Sequence, residues 1–307
     1  MNSTIKHSYT VAGVHFEVCL EAGESVVDLY RAPYLPFVER EECVPHFRLK
    51  VLRECPEDNT PLHASDGEEW EATGIFHEED LSMRVRKHRE SGTIEIAMQS
   101  VVDLSGWMLL TLYKDFREAE VLIKGGQEMR IFGINNALMM LYALRGATLD
   151  RLLMHASVIK KGAFGYLFLG KSGTGKSTHS QLWLKEIERC ELLNDDNPVI
   201  GIGEDGAAFV SGSPWSGKTP CYRNEQAKIG AFVRLWQAPK NEIQKLTVVE
   251  AYAALLPTVS NMKWETEVAN GINGTLEKLL RLTSVYSLRC LPDGEAALLS
   301  YRTVSQS

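Results

Sequence analysis

Two stretches of the chain satisfy one eight-residue spacing, Gly, any four residues, then Gly-Lys-Ser/Thr: "GKSGTGKS" at 170–177 and "GSPWSGKT" at 212–219. The chemistry of that spacing is anion capture. Consecutive backbone N–H groups curl round a phosphate, and a helix starts where the loop ends. The lysine reaches the outer phosphates and the hydroxyl meets Mg²⁺. Every internal position must therefore donate an N–H and tolerate unusual dihedrals, which favours glycine.

The first stretch meets these demands. Gly170, Lys171, Ser172, Gly173, Thr174, Gly175, Lys176, Ser177 and Thr178 include no proline, and "THSQLWLKEIERC" can continue as a helix with Leu182 and Trp183 on its apolar side. The second stretch does not. Pro214 has no N–H, Trp215 is bulky where backbone must approach the ligand, and Pro220 is poorly placed to extend a helix. The sequence therefore predicts one nucleotide site, at 170–178, with Lys176 on the β- and γ-phosphates of ATP and Ser177 on Mg²⁺.

Such a loop needs a carboxylate at the end of a nearby strand to hold the metal. "ELLNDDNPVIG" at 191–201 supplies Asp195 and Asp196. Of two adjacent carboxylates beside a triphosphate, one suits Mg²⁺ and the other a proton in flight; an ATPase that activates water could use the same pair. In "SGSPWSGKTPCYRNE", Lys218 and Arg223 are cations able to form the far wall and reach the γ-phosphate or the acceptor. Phosphoryl transfer is catalysed by positioning and by neutralising charge on the moving oxygens. His179 and Arg234 read as structural or solvent-facing, and His15, His46, His63, His77 and His88 as surface or packing histidines.

The elements that must position these groups are visible in the periodicity. "YTVAGVHFEV", "HFRLKVL" and "TIEIAM" alternate apolar and polar residues, so the first 130 or so residues are β-rich, with a long loop expected at 53–69. "NNALMMLYALRG" at 135–146 reads as a buried helix, capped at its start by Asn135 or Asn136 and at its end by Gly146. Strand-like 152–159 and 166–169 form a hairpin that feeds the first Gly-Lys-Ser. "PVIGI" and "AAFV" form a second hairpin around "GEDG". From "VVEAYAALL" onward the tail is mostly helical in pattern, with Asp293 as the cap of a last helix at 294–300.

A chain of 307 residues with 44% hydrophobic and 24% charged residues is ordinary for a globular protein of one large or two domains. The net charge of −7 argues against a nucleic-acid partner. "ALMMLYAL" at 137–144 is too short to cross a bilayer, and "MNSTIKHSYT" has no signal-peptide core. Six dispersed cysteines without a C-x-x-C pair suit neither zinc nor a disulfide framework, so a cytoplasmic protein with reduced thiols is expected.

"MHASVIKKGAFGYLFLGKSGTGKST" followed by "LLNDDNPV" resembles the catalytic domain shared by bacterial HPr serine kinase/phosphorylase and the phosphoenolpyruvate carboxykinases, over roughly residues 150–235. Most of the chain is similar to a group of uncharacterised bacterial proteins related to HPr kinase, which carry "GKSGTGKSTHSQLWL" and "GSPWSGKTPCYRNE" in this order. The resemblance implies that His155 matches a histidine one hairpin before the loop, beside the γ-phosphate. It implies Asp195 as the base at the acceptor hydroxyl, Asp196 as the Mg²⁺ ligand, and a possible homo-oligomer, since HPr kinases are hexamers. Thr178 departs from the glutamate that HPr kinase has there and agrees with the carboxykinases.

The reading is an α/β (α+β overall) chain: a β-rich region at 1–134, then a P-loop domain at 135–307 with a mixed sheet and C-terminal helices. The expected activity is ATP- and Mg²⁺-dependent phosphoryl transfer to a hydroxyl, with a serine of a protein or peptide as the acceptor. The alternatives are a phosphoenolpyruvate carboxykinase-like enzyme and a non-catalytic nucleotide-binding module that controls a partner.

Overall fold

The structure, a computed structural model, describes residues 4–21, 31–52, 62, 67–78, 81–100, 106–217, 219–260 and 265–305. Its α+β chain divides into two compact units, residues 1–145 and 146–307.

In the first unit, β1 (Thr4–Val11) and β2 (Val14–Glu21) form a hairpin. Its two-residue turn places Ala12 and Gly13 both at positive φ, 49° and 79°, the backbone that matches strand twist in tight hairpins. Strict alternation then buries Tyr9, Val11, Val14, Phe16, Val18 and Leu20. The sheet is completed by β3 (Phe47–Val51), β4 (Trp70–Glu78), β5 (Leu81–His88), β6 (Ile94–Ser100), β7 (Trp107–Leu112) and β8 (Glu118–Lys124). Its order is β1-β2-β3-β8-β7-β6-β5-β4, parallel only at β2/β3 and β3/β8. The region expected to loop at 53–69 lies mostly outside the described residues.

Helix α1 (Gln127–Ala147) starts two turns before the expected cap. Asn135 and Asn136 lie inside it, and Asn136 Nδ2 donates to Phe132 O at 2.9 Å. Gly146 falls within the last turn, not beyond it. The apolar pattern misled here because the opening turn, Gln-Glu-Met-Arg, is mostly polar. Tyr142 anchors the helix, donating to Val11 O at 3.0 Å and standing edge-on to Phe16 and Phe47. The boundary expected at 134/135 falls in mid-helix.

The second unit runs β9 (Arg151–Leu153), β10 (Ala156–Lys161), β11 (Phe164–Leu169), α2 (Lys176–Glu186), β12 (Cys190–Asp196), β13 (Val199–Ile202), β14 (Ala208–Ser211) and β15 (Gln226–Gln237). It ends with β16 (Glu242–Lys245), α3 (Val248–Leu255), α4 (Thr266–Leu282), β17 (Ser284–Cys290) and α5 (Gly294–Val304). The mixed sheet is ordered β12-β10-β11-β15-β14-β13-β9, with β17 also on β15 and β16 on β17. Both expected hairpins form, β10/β11 and β13/β14. The tail departs from expectation at β17, which separates α4 from α5 and joins the sheet parallel to β15 and antiparallel to β16. Asp293 does cap α5, accepting from Ala296 N at 2.9 Å, and that helix continues to Val304. Among the described residues no helix is long and apolar enough to cross a membrane.

The core that fixes α2 is aromatic. Trp183 is fully buried among Tyr166, Phe168 and Tyr301 and donates to Ser300 Oγ at 2.9 Å. Ser300 gives its own proton to Ala297 O. Its oxygen can therefore only accept from His179 Nε2, 3.1 Å away, which makes Nε2 the protonated nitrogen. Burial pushes the His179 imidazole down to about 4. The unfolded chain binds this proton near pH 6.5 and the folded chain only near 4, so folding stability falls as pH drops through that interval. The full effect is about 3 kcal/mol. In denaturant titrations from pH 7 to 4, His179→Gln should show a flatter loss of stability than wild type; identical slopes would contradict this assignment.

Candidate functional site

The site is assembled by register. β10 lies between β11 and β12, antiparallel to both, with Ala156 opposite Leu169 on one side and Asp196 on the other. The start of β10 therefore meets the ends of its neighbours, and His155 stands one residue before it, between the Gly170 loop and the aspartate pair. His155 N donates to Thr258 O at 2.6 Å, which fixes its backbone.

After β11 the chain turns through Gly170 (φ 155°), Gly173 (φ 78°) and Gly175 (φ 99°), and α2 begins at Lys176. A Cβ on Gly170 would lie 2.4 Å from Thr174 Oγ1, so only glycine fits there. Thr174 folds the loop on itself, donating through both N (3.2 Å) and Oγ1 (2.7 Å) to Lys171 O. Gln237 Nε2 holds Gly173 O at 3.2 Å. A Cβ at Gly173 or Gly175 would meet nothing within 4 Å, so open space lies beside both positions.

Lys176 turns back over the loop. Its ammonium donates to Gly170 O (3.0 Å), to Lys171 O (3.3 Å) and to His155 Nε2 (2.9 Å). Burial pushes its pKa below the ordinary lysine value, and the charges of Asp196 and Asp195 pull the other way. An ammonium can only donate, so His155 Nε2 accepts and the ring proton sits on Nδ1. That nitrogen faces Asp196 Oδ1 at 2.7 Å. The other Asp196 oxygen accepts from Asn197 Nδ2 at 2.8 Å. Ser177 Oγ donates to Asp195 Oδ1 at 3.1 Å. Lys176, His155 and Asp196 are thus linked in one line, and Ser177 is paired with Asp195, not with Asp196.

Asp196 has φ 135°, a conformation costly for any residue with a side chain. The second Gly-Lys-Thr stretch braces it. Ser216 forms a bridge with Asp196, and Gly217 N donates to Asp195 O, while the Ser216 hydroxyl gives its proton to Thr219 O at 2.6 Å. Trp215 is buried, and Ser213 Oγ donates to Asn197 O at 2.6 Å. At Gly212 a Cβ would lie 2.0 Å from Arg223 O. No helix follows this stretch. Lys218 lies outside the described residues. Arg223 is not brought into the group: its guanidinium pairs with Glu191 at 2.6 Å, near the start of β12, and with Glu225 at 3.8 Å. Arg234 lies over the Trp236 ring, 4.4 Å from its centroid.

Beside the loop is a cavity of about 610 Å³. Gly173, Gly175 and Thr178 line its loop side, and Leu182, Leu235 and Pro292 its apolar side. Sequence reasoning missed this wall, because Leu235 and Pro292 come from distant segments.

A scan of protein-family models and a search of curated proteins each find no match. Among solved structures there is a likeness to the Hpr(Ser) kinase/phosphatase from Coxiella burnetii. The TM-score is 0.29 and the identity 14%, over 50% of this chain and 88% of that one.

Proposed function

We propose that residues 146–307 bind ATP with Mg²⁺ and transfer its γ-phosphoryl to a hydroxyl, with a serine of a protein or peptide as the acceptor. The observation that carries this reading is the convergence of Lys176, Ser177, His155, Asp195 and Asp196 beside the glycine-rich loop that opens α2. The donor set fits the metal. A hydroxyl and carboxylate oxygens are the hard ligands that Mg²⁺ takes, usually one or two from protein with the rest from phosphate and water.

Ser177 and Asp195, already hydrogen-bonded, would hold the ion, which when bound neutralises charge on the phosphate oxygens. This exchanges the roles that the family resemblance implies for the two aspartates. Asp196 would then accept the proton of the acceptor hydroxyl, with the His155 Nδ1–H orienting its carboxylate. Lys176 would leave His155 and follow the β- and γ-phosphates. The nucleoside has room against Leu182, Leu235 and Pro292. Ser216 and Gly217 keep Asp196 in its strained backbone, so that its carboxylate is aimed before substrate arrives.

Lys176→Ala should weaken Mg-ATP binding by about 2 kcal/mol, roughly thirtyfold, in calorimetric titration. Equal affinities for variant and wild type would place the nucleotide elsewhere.

Asp196→Asn should keep nucleotide affinity and lower the rate of transfer roughly 10²- to 10⁴-fold, whereas Asp195→Asn should raise the Mg²⁺ concentration needed for binding. Incubating the protein with γ-labelled ATP and a lysate of its source cell supplies the acceptor for that assay. Tight binding with no label transferred to any species would favour the non-catalytic module, and turnover of oxaloacetate with nucleotide would favour a carboxykinase.

A further inference from the structure

In the first unit, three side chains of metal-binding type converge on the β1/β2 hairpin. A ligand atom of His15, one of Glu39 and the Cys43 sulfur all lie within 4.8 Å of one another. His15 Nδ1 and Glu39 Oε2 are 3.8 Å apart. Tetrahedral zinc, with bonds of about 2.0–2.3 Å, sets its ligand atoms about 3.5 Å apart, so the three need close by little more than roughly 1 Å.

We propose that His15, Glu39 and Cys43 form a Zn²⁺ site, with water in the fourth position. Imidazole, thiolate and carboxylate together select a borderline-soft ion over Mg²⁺ or Ca²⁺. The surroundings are built to aim these donors. The segment from 39 to 46 is tied to the hairpin at both ends, Glu39 N to Ser8 O at 2.9 Å and His46 N to His15 O at 2.8 Å. Glu39 Oε1 is held by the N–H groups of Arg40 (2.9 Å) and Glu41 (3.1 Å), which turns Oε2 toward His15. Thr10 Oγ1 donates to that Oε2 at 2.6 Å and lies 2.6 Å from His15 Nδ1. The hydroxyl has one proton to give, so it accepts from a protonated Nδ1. The His15 ring stacks on His46 at 5.5 Å, and His15 N donates to His46 Nδ1 at 3.0 Å.

Loading the ion balances simply. The Cys43 thiol loses its proton to solvent, the His15 proton moves from Nδ1 to Nε2 as Nδ1 exchanges its Thr10 hydrogen bond for the ion, and the Glu39 carboxylate binds as it stands. The spacing of the cysteines hid this site, because its ligands come from a strand and a separate irregular segment, with only one sulfur.

The test is a calorimetric titration of the full chain with Zn²⁺, together with the absorption spectrum after adding Co²⁺. Wild type should take up one equivalent and show a thiolate-to-Co²⁺ band, and Cys190→Ser should do the same. Cys43→Ser should lose the band, His15→Gln should lose tight binding, and Thr10→Val should weaken binding roughly 10- to 100-fold. Absence of saturable Zn²⁺ uptake by wild type, absence of its Co²⁺ band, or unchanged affinity in both ligand variants would overturn the proposal.

Discussion

The second unit depends on one pairing constraint, the placement of β10 between β11 and β12. Antiparallel pairing on both sides means that where β10 begins, both neighbours end. The loop after β11, the residue before β10 and the last residues of β12 must therefore share one edge of the sheet. A one-residue slip would turn each side chain to the opposite face. The bulge at Val158/Ile159 absorbs the mismatch farther along and leaves Ala156 opposite Asp196. The hydrogen bonds among Lys176, His155 and Asp196 are consequences of that register.

Electrostatics and strain then sharpen the arrangement. Lys176 is half-buried and carries the only ammonium in the described group, and two aspartates oppose part of the desolvation that lowers its pKa. Asp196 is held at a φ that glycine would adopt more readily, and the hydrogen bonds of Ser216 and Gly217 oppose its relaxation. The second Gly-Lys-Thr thus has a physical role unlike the first. Its proline and tryptophan, which spoil an anion cradle, suit a stiff, buried brace beside β12. Arg223, expected in the far wall, is paired with Glu191 and Glu225 near the other end of the strand.

Much of this edge was legible from residue types. Glycines at 170, 173 and 175 announce positive φ, Pro214 rules out a second cradle, and alternation marks both hairpins. Less legible was whatever depends on tertiary contact. The start of α1 was hidden by a mostly polar first turn, and β17 was hidden in a tail whose apolar residues suit helix or strand equally. The pairing of Ser177 with Asp195 in place of Asp196 is decided by the pleat of β12, which sends adjacent side chains to opposite faces. The His15–Glu39–Cys43 cluster required the fold to bring separate segments together.

The most direct test of the central claim is a crystal structure of the protein with Mg²⁺ and a non-hydrolysable ATP analogue. The account predicts the triphosphate on the N–H groups of 171–177, the ion between Ser177 and Asp195, and Lys176 moved from His155 to the phosphates. A triphosphate bound away from that loop, or a Lys176 still resting on His155 with nucleotide present, would contradict it.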